Sequence, residues 1–251
     1  MTPQTSVDQG NRTASMLPFR ILDATPAAPL LLTCEHASCA VPLEYDGLGL
    51  DEDELCEHIG WDIGAGRLTE LLAADLGAPA VLGGVSRLVI DVNRDLADHD
   101  LIVEDAHGVP IPGNRALDGD ERRRRIRDFH EPYHDAIDGL ARRLKPRLLL
   151  SIHSFTPELN GRPRRFDVGV LFDTFAAEAE RFGDALSAGG LEVRYNQPYS
   201  GLDGLIYSAR RHGRTHGITY LELEVNNALL RSEAAIGRVA RQVVPAVRAL
   251  L

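Results

Sequence analysis

Long apolar runs are absent from this chain of 251 residues. No stretch approaches the ~20 consecutive apolar residues that a membrane-spanning helix needs, so we expect no membrane partner. The opening segment, MTPQTSVDQGNRTASMLPFR, contains no apolar core of the kind that a secretory signal requires. We therefore expect a cytoplasmic protein whose residues 1–18 form a flexible N-terminal arm.

Cysteine is scarce, and basic residues are outnumbered by acidic ones. Cys34, Cys39 and Cys56 make an odd count without a CxxC pair, so the sequence predicts no disulfide framework. Lys and Arg total 27 against 37 Asp and Glu, which makes the formal net charge −10. Binding to nucleic acid relies on a basic surface, so this balance argues against such a partner. A small anionic ligand stays compatible, because a few arginines can dominate the charge of a pocket.

Apolar runs that end in polar residues alternate with amphipathic segments along the chain. The runs predict strands at 30–34, 88–92, 147–152, 167–171, 191–195 and 219–225. The amphipathic segments predict helices at 63–76, 120–145, 175–186 and 233–250, with a break or kink at Pro132. Residues 98–118, rich in Gly, Pro and Asp, predict a long surface excursion. The alternation predicts a single α/β domain over residues 19–251, with a mostly parallel sheet between two layers of helices.

Polar residues follow several predicted strands at the point where each strand ends. They are Glu35, His36, Asn93, Arg94, His153, Glu224 and Asn226. In open α/β sheets, ligands bind at the carboxyl ends of the strands. Because parallel strands end at the same edge of a sheet, we expect these side chains to meet at one rim.

His36 and His153 are the natural pair of metal ligands at this rim. A catalytic zinc keeps three protein ligands and leaves one position open for water. The third ligand should be a carboxylate, and the residues leave Asp62 and Glu35 as alternatives. Asp62 can instead cap the helix that begins beside it, and Glu35 can instead be a solvated neighbour. Imidazole and carboxylate ligands suit several metals, so zinc is the expected ion and manganese or iron remain compatible.

Glu222 and Glu224 stand two residues apart in the last predicted strand, so both carboxylates face the same side. Burying two acids on one face is costly without partners. One of them can serve as the general base that takes a proton from a metal-activated water. The alternative is an edge strand that turns this face to solvent.

Several arginines stand in acidic surroundings, and a guanidinium can hold a carboxylate by two parallel hydrogen bonds. They are Arg87, Arg94, Arg162, Arg164 and Arg165. Arg94 stands out because it ends a predicted strand, beside Asn93. His130 and His134 are four residues apart on a predicted helix, but the segment reads HEPYH and lacks the HExxH metal signature. A substrate-facing or supporting role therefore stands beside metal ligation as an alternative for this pair.

Six segments, in chain order from about Leu30 to Leu230, carry a family likeness: TCEHAS, HIGWDIGA, SRLVIDVNRDL, SIHSFTP, RRFDVGVLFD and LELEVNN. Together they resemble the N-formylglutamate amidohydrolase family, which is similar to the zinc carboxypeptidases. The resemblance implies a three-layer α/β/α fold. It also implies zinc-dependent cleavage of the amide in an N-formyl or other N-acyl amino acid, such as N-formylglutamate.

The resemblance also implies roles for particular residues. His36 and His153 match the zinc histidines, and Glu224 matches the general base. Arg94 and Arg164 fall where arginines for the substrate carboxylates are expected. Cys39 stands where a carboxypeptidase has its acidic zinc ligand, so that ligand has no counterpart here. We choose Asp62 over Glu35 as the third ligand, and we add Asn93 and His134 as substrate-binding residues.

Three other functions remain as alternatives. One is a carboxypeptidase-like or deacylase enzyme that acts on another small amide. The second is a non-catalytic protein that binds an acidic metabolite through a metal. The third is a thiol amidase with Cys34 as nucleophile.

Overall fold

The computed structural model describes residues 16–23, 29–159 and 161–251. The strands are β1 (Phe19–Leu22), β2 (Leu30–Cys34), β3 (Ala80–Gly83), β4 (Asp105–Ala106), β5 (Val109–Pro110), β6 (Leu148–Phe155), β7 (Glu158–Leu159), β8 (Arg162–Pro163), β9 (Val168–Leu171), β10 (Val193–Tyr195) and β11 (Thr219–Asn226). The helices are α1 (Glu52–Leu55), α2 (Ala65–Leu76), α3 (Gly119–Arg125), α4 (Glu131–Leu144), α5 (Ala176–Ala188), α6 (Tyr207–His216) and α7 (Glu233–Leu250). Residues 1–15 of the predicted N-terminal arm lie outside the described part of the chain.

Seven strands form the central sheet, in the order β1-β3-β2-β6-β11-β9-β10. Strands β3, β2, β6 and β11 are parallel to one another. Strand β9 pairs antiparallel with β11, and β1 pairs antiparallel with β3. The two middle strands, β6 and β11, are buried along almost their whole length, and one face of each strand is apolar.

Helices cover both faces of this sheet. On one face α2, α5 and α7 pack through residues such as Leu72, Phe182 and Val243. On the other face α4 and α6 pack through Ile137 and Ala209 against sheet residues of that side. The predicted α/β/α class with a mostly parallel, mixed sheet is confirmed.

Side-chain alternation in β6 and β11 sends apolar and polar residues to opposite faces. Leu150 and Leu223 pack under α2, α5 and α7, whereas the polar residues point to the face covered by α4 and α6. In the parallel register Ser151 is opposite Glu222, and His153 is opposite Glu224. The polar pairs therefore lie in two successive rows, with the His153 row nearer the carboxyl ends of both strands.

The predicted strand at 88–92 is wrong, because these residues form turns outside the sheet. Their apolar side chains enter a satellite core that lies beneath the long excursion. Its buried members include Leu48, Leu88, Val89, Ile90, Leu101, Ile111 and Phe129. An apolar run has the same composition whether it is buried in a sheet or under a loop, so the pattern could not separate the two.

The predicted helix at 120–145 is three segments. Helix α3 leads through a π-helical turn, Ile126–His130, into α4. Pro132 lies in the first turn of α4, directly after the π-helical turn. Because proline has no N–H to donate, it interrupts the helical hydrogen bonds at this junction, where the sequence predicts a break or kink. None of the helices in the described residues combines the length and the apolar character that a membrane span requires.

Candidate metal centre

Three buried side chains from separate parts of the chain converge at the carboxyl end of the parallel strands. His36 follows β2, His153 belongs to β6, and Asp62 precedes α2. Asp62 Oδ2 lies 2.8 Å from His153 Nδ1 and 3.5 Å from His36 Nδ1. The backbone N–H of Asp62 donates to the carbonyl of His36 at 3.0 Å, which ties the two loops together. Gly64, not Asp62, occupies the N-cap position of α2, so this carboxylate is not the helix cap.

A second carboxylate stands behind each histidine. His36 Nε2 lies 2.7 Å from Asp91 Oδ1, and His153 Nε2 lies 3.0 Å from Glu35 Oε2. Each ring therefore turns Nδ1 toward Asp62 and Nε2 toward another acid. Histidines that ligate metals usually donate their second N–H to a carboxylate or a carbonyl in this way.

The donor set fits a divalent metal ion. One ligand atom from each of His36, Asp62 and His153 lies within 4.8 Å of the others. His36 Nδ1 is buried and makes no hydrogen bond with any residue that the structure describes. Two imidazole nitrogens and one carboxylate oxygen suit zinc with a position left for water. Burial alone would raise the pKa of Asp62, but the adjacent His36 and His153 outweigh it and hold the pKa below its ordinary value.

Glu35 is enclosed by donors on the far side of His153. Tyr133 donates its hydroxyl to Oε1 at 3.0 Å, and Ser151 donates to Oε2 at 2.5 Å. Burial opposes the charged form, but the hydrogen bond and charge of His153, together with the hydrogen bond from Ser151, lower the pKa of Glu35 to about 2. Of the two acids considered for the third ligand, Asp62 is the one that faces both Nδ1 atoms.

Glu222 and Glu224 lie inside the sheet, since β11 pairs with β6 on one side and β9 on the other. An exposed edge strand is therefore excluded for this pair. Burial raises the pKa of Glu222 to about 8 and that of Glu224 to about 7. Oε2 of each makes no hydrogen bond with a described residue. Glu222 lies 3.5 Å from His153 Nε2, on the side of the ring that faces Glu35.

A cavity of about 320 Å³ opens above these groups. Its lining includes the three candidate metal ligands, both strand glutamates, and the side chains Arg87, Asp91, Asn93, Arg94, His58, His107 and Tyr199. Arg164 does not line the cavity, but its guanidinium lies 5.3 Å from the ring centroid of Tyr199, which is a lining residue.

His134 and Cys34 are placed away from the cavity. His134 is fully buried and pairs through Nδ1 with His212 Nε2 at 2.8 Å. Cys34 packs into the core under α2, α5 and α7, and burial raises the pKa of its thiol. This position leaves the thiol without access to a substrate, which argues against the thiol amidase.

Sequence reasoning gave no special place to Arg87 and missed Asp91. Arg87 Nη2 donates to Asp91 Oδ2 at 2.9 Å, and Nη1 lies 3.5 Å from Asp62 Oδ1. Asp91 lies within the apolar run LVIDV, which predicts a strand and does not indicate a turn. The available signal was the interruption of that apolar run by an acid four residues after an arginine.

The fold and the arrangement of these groups define the class: an α/β protein with a mixed, mostly parallel sheet and a buried His–Asp–His group at the carboxyl ends of its parallel strands. The model of one family, described as N-formylglutamate amidohydrolase, matches residues 28–231. The chain belongs to the N-formylglutamate amidohydrolase family, whose name implies an amidohydrolase.

Two solved structures are similar to this chain over nearly their whole length. The gene product Atu2144 from Agrobacterium tumefaciens is 32% identical, with a TM-score of 0.85, over 92% of this chain and 94% of that one. N-formylglutamate amidohydrolase from Ralstonia eutropha JMP134 is 20% identical, with a TM-score of 0.72, over 93% and 97% of the two chains. At that identity the second likeness shows the fold alone. A comparison with curated proteins found no match.

Proposed function

We propose that this protein is a metal-dependent amidohydrolase that cleaves the amide of a small acidic N-acyl amino acid, with N-formylglutamate as the leading substrate. One observation carries the proposal. A His–Asp–His cluster and a buried glutamate, Glu224, lie at the floor of a cavity whose wall carries Arg87 and Arg94. Membership of the family adds the acyl chemistry. Residues 19–251 act as one catalytic domain in this proposal.

His36, Asp62 and His153 are the residues that would hold the metal, with zinc expected from the family. The ion would act as a Lewis acid, which makes a water more acidic and polarises the amide carbonyl. Asp91 and Glu35 hold the two rings from behind, so the ligand geometry is set before the ion binds.

Glu224 is the general base. It takes one proton from the attacking water as the water oxygen bonds to the acyl carbon. It returns that proton to the nitrogen as the C–N bond breaks. The products are a carboxylic acid, formate for a formyl group, and the free amino acid. Arg87, which contacts Asp62, adds positive charge where the carbonyl oxygen becomes negative.

The register supports Glu224 over Glu222 as this base. Glu224 is opposite His153 and one row nearer the carboxyl end of β11, on the side where the cavity opens. Glu222 lies in the deeper row, close to the ring nitrogen that faces Glu35.

Arg94 and Arg164 are the residues proposed to bind the substrate carboxylates. Arg94 lines the cavity, and among the described residues its guanidinium donates only to the neighbouring backbone carbonyl, at 3.3 Å. Arg164 reaches the same region beside Tyr199. Asn93 also lines the cavity, and its Oδ1 accepts a hydrogen bond from the backbone N–H of Ser208 at 2.9 Å. A fixed guanidinium orients a carboxylate and so aligns the amide with the base. His134 is left out of this set, since it does not reach the cavity.

The experiment combines metal analysis with an amine-release assay on the full chain. We expect about one zinc in the candidate centre and release of glutamate from N-formylglutamate. Glu224→Gln should keep that zinc while turnover falls by roughly 10²–10⁴-fold, the usual contribution of general acid–base catalysis. Glu180→Gln makes the same charge change at an exposed site and should leave turnover unchanged.

Other outcomes separate the parts of the proposal. If Glu222→Gln abolishes turnover while Glu224→Gln stays active, Glu222 and not Glu224 is the general base. Hydrolysis of another N-acyl amino acid or small peptide, with none of N-formylglutamate, would keep the amidohydrolase and replace the substrate. If the zinc-loaded protein binds an acidic metabolite tightly and hydrolyses none of it, the proposed enzymatic activity is wrong and the protein is a metal-dependent binding protein.

A further inference from the structure

A second group of metal-ligand residues joins the two helices that cover the polar face of the sheet. His212 and His216 lie four residues apart on α6, and Asp138 lies on α4. Asp138 Oδ1 is 2.8 Å from His212 Nδ1 and 2.7 Å from His216 Nε2. A spacing of four residues places both imidazoles on one side of α6, so the two rings meet the carboxylate of the facing helix together.

This cluster is separate from the candidate metal centre. None of its three residues lines the cavity or contacts His36, Asp62 or His153 within hydrogen-bonding distance. The side chain of His212 is fully buried, whereas those of Asp138 and His216 keep 18% and 13% of their surface exposed. A cation can therefore reach the cluster from solvent, and a water can complete its coordination.

A further histidine supports the buried ring. His134 Nδ1 lies 2.8 Å from His212 Nε2, and both rings are buried. Two arrangements of protons agree with this contact. In the first, His212 donates from Nδ1 to Asp138 and accepts at Nε2 from His134. In the second, His212 donates from Nε2 to His134, and a cation takes the place of the proton between its Nδ1 lone pair and Asp138. In the second arrangement the nitrogen that does not bind the cation donates its N–H to a neighbouring acceptor, as metal-ligating histidines do.

The donor types of the cluster also suit a cation. One carboxylate and two imidazoles form a donor set with the preference of zinc and neighbouring transition metals.

We propose that Asp138, His212 and His216 form a second divalent metal site, which takes zinc or a transition-metal ion of similar ligand preference. The ion bridges α4 to α6. These helices also carry Tyr133, which donates to Glu35, and Ser208, whose N–H donates to Asn93. The second ion therefore holds together the layer that supports the candidate metal centre, and its existence does not depend on the reaction proposed for the protein.

Metal stoichiometry on the full chain tests this site. After saturation with zinc and removal of free metal, the unaltered protein should hold two equivalents, and His216→Gln should hold one. Glutamine at this partly exposed helix end keeps a polar side chain, and Asp138→Asn is a second variant with the same expected loss. Circular dichroism verifies that both variants are folded.

Control variants show which of the two sites holds each equivalent of zinc. His36→Ala should lose the ion of the candidate metal centre and keep the second one, and His36→Ala/His216→Gln should hold none. His99→Gln alters another group of the same residue types, Asp98, His99 and Asp100, in which the histidine is exposed, and should leave both equivalents bound. Zinc should also raise the unfolding temperature of His36→Ala, but not that of the double variant.

The site is rejected if the unaltered protein holds one equivalent and His36→Ala none. It is equally rejected if His216→Gln and Asp138→Asn both keep two equivalents. Cobalt substitution in His36→Ala gives a spectroscopic readout: visible absorption bands of four-coordinate cobalt support the site, and the spectrum of the aqueous ion contradicts it.

Discussion

At the scale of single residues, the two candidate metal histidines are held in the same way. Each ring has Asp62 at Nδ1 and a second buried carboxylate at Nε2, which is Asp91 for His36 and Glu35 for His153. A carboxylate behind an imidazole fixes its tautomer and increases its basicity as a ligand. We therefore propose Glu35 as a positioning residue and keep the neighbouring Asp62 as the candidate ligand.

Removing the charge of Glu35 tests this division of roles. Glu35→Gln should lower zinc affinity by about 10–100-fold, the usual effect of losing such a partner. The measurement is a competition titration with a zinc chelator. Glu180→Gln, at an exposed position, serves as the matched control. An unchanged affinity for Glu35→Gln would show that His153 does not depend on this carboxylate.

Arg94 is expected to act on substrate binding. A hydrogen bond to a charged group contributes about 1.5–3 kcal/mol, so Arg94→Ala should lower kcat/KM for N-formylglutamate by roughly 10–150-fold, mainly through KM. Steady-state kinetics measures the split between kcat and KM. Arg165→Ala removes an exposed arginine and should have little effect. A fall in kcat alone would place Arg94 in the chemical step instead.

At the scale of elements, α6 lies against β11 with very little space between them. A Cβ added at Gly213 of α6 would stand 2.0 Å from Cδ1 of Tyr220 in β11. The helix can approach the strand this closely only because residue 213 has no side chain. The approach matters for the site, since β11 carries both strand glutamates and α6 carries Ser208.

Two glycine substitutions separate the effect of this close packing on the free energy of unfolding from the effect of helix propensity. Gly213→Ala should lower the free energy of unfolding by about 1–3 kcal/mol, because overpacking moves α6 away from the sheet. Gly139→Ala lies in the interior of α4 with nothing within 4 Å of the added Cβ. It should raise stability by roughly 0.5–1 kcal/mol, since alanine favours a helix over glycine. Urea unfolding measures both, and equal effects at the two positions would contradict the packing argument.

At the scale of the whole molecule, a satellite core beside the sheet holds the segment that carries Asp91 and Arg94. Buried Arg125 connects this core to α3. It donates to the carbonyl of Val89 at 3.0 Å, to Asn114 Oδ1 at 2.7 Å and to Glu121 Oε1 at 3.0 Å. One side wall of the cavity therefore depends on packing outside the central sheet.

Replacing Arg125 should affect both stability and activity. Arg125→Ala should lower the free energy of unfolding by about 3–5 kcal/mol, because it leaves Glu121 and Asn114 without their buried partner. Activity should fall with it, since the turn that carries Asp91 loses its anchor. Arg124→Ala removes the adjacent arginine, whose side chain is partly exposed; it is the matched control and should change stability by less than about 1 kcal/mol. Denaturant unfolding and the amine-release assay measure the two effects.

Several elements were not predictable from local pattern. Helix α6 reads YSARRHGRTH and contains few apolar residues, yet it buries Ala209 and His212. Its burial comes from small side chains and a close approach to Tyr220, neither of which produces an apolar period. Strands β1 and β3 have four residues each, which is too short for a repeating pattern to stand out.

The sequence by itself determined the fold class, the candidate ligands His36 and His153, and the pair of glutamates in LELEV. These depend on periodicity and on residue type at strand ends, which are local properties of the chain. Only the tertiary structure decided that Asp62 faces both Nδ1 atoms, that Glu35 stands behind His153, and that His134 turns away from the cavity. The reason is physical: each of these side chains is placed by packing between segments distant in sequence, and local spacing carries no information about that packing.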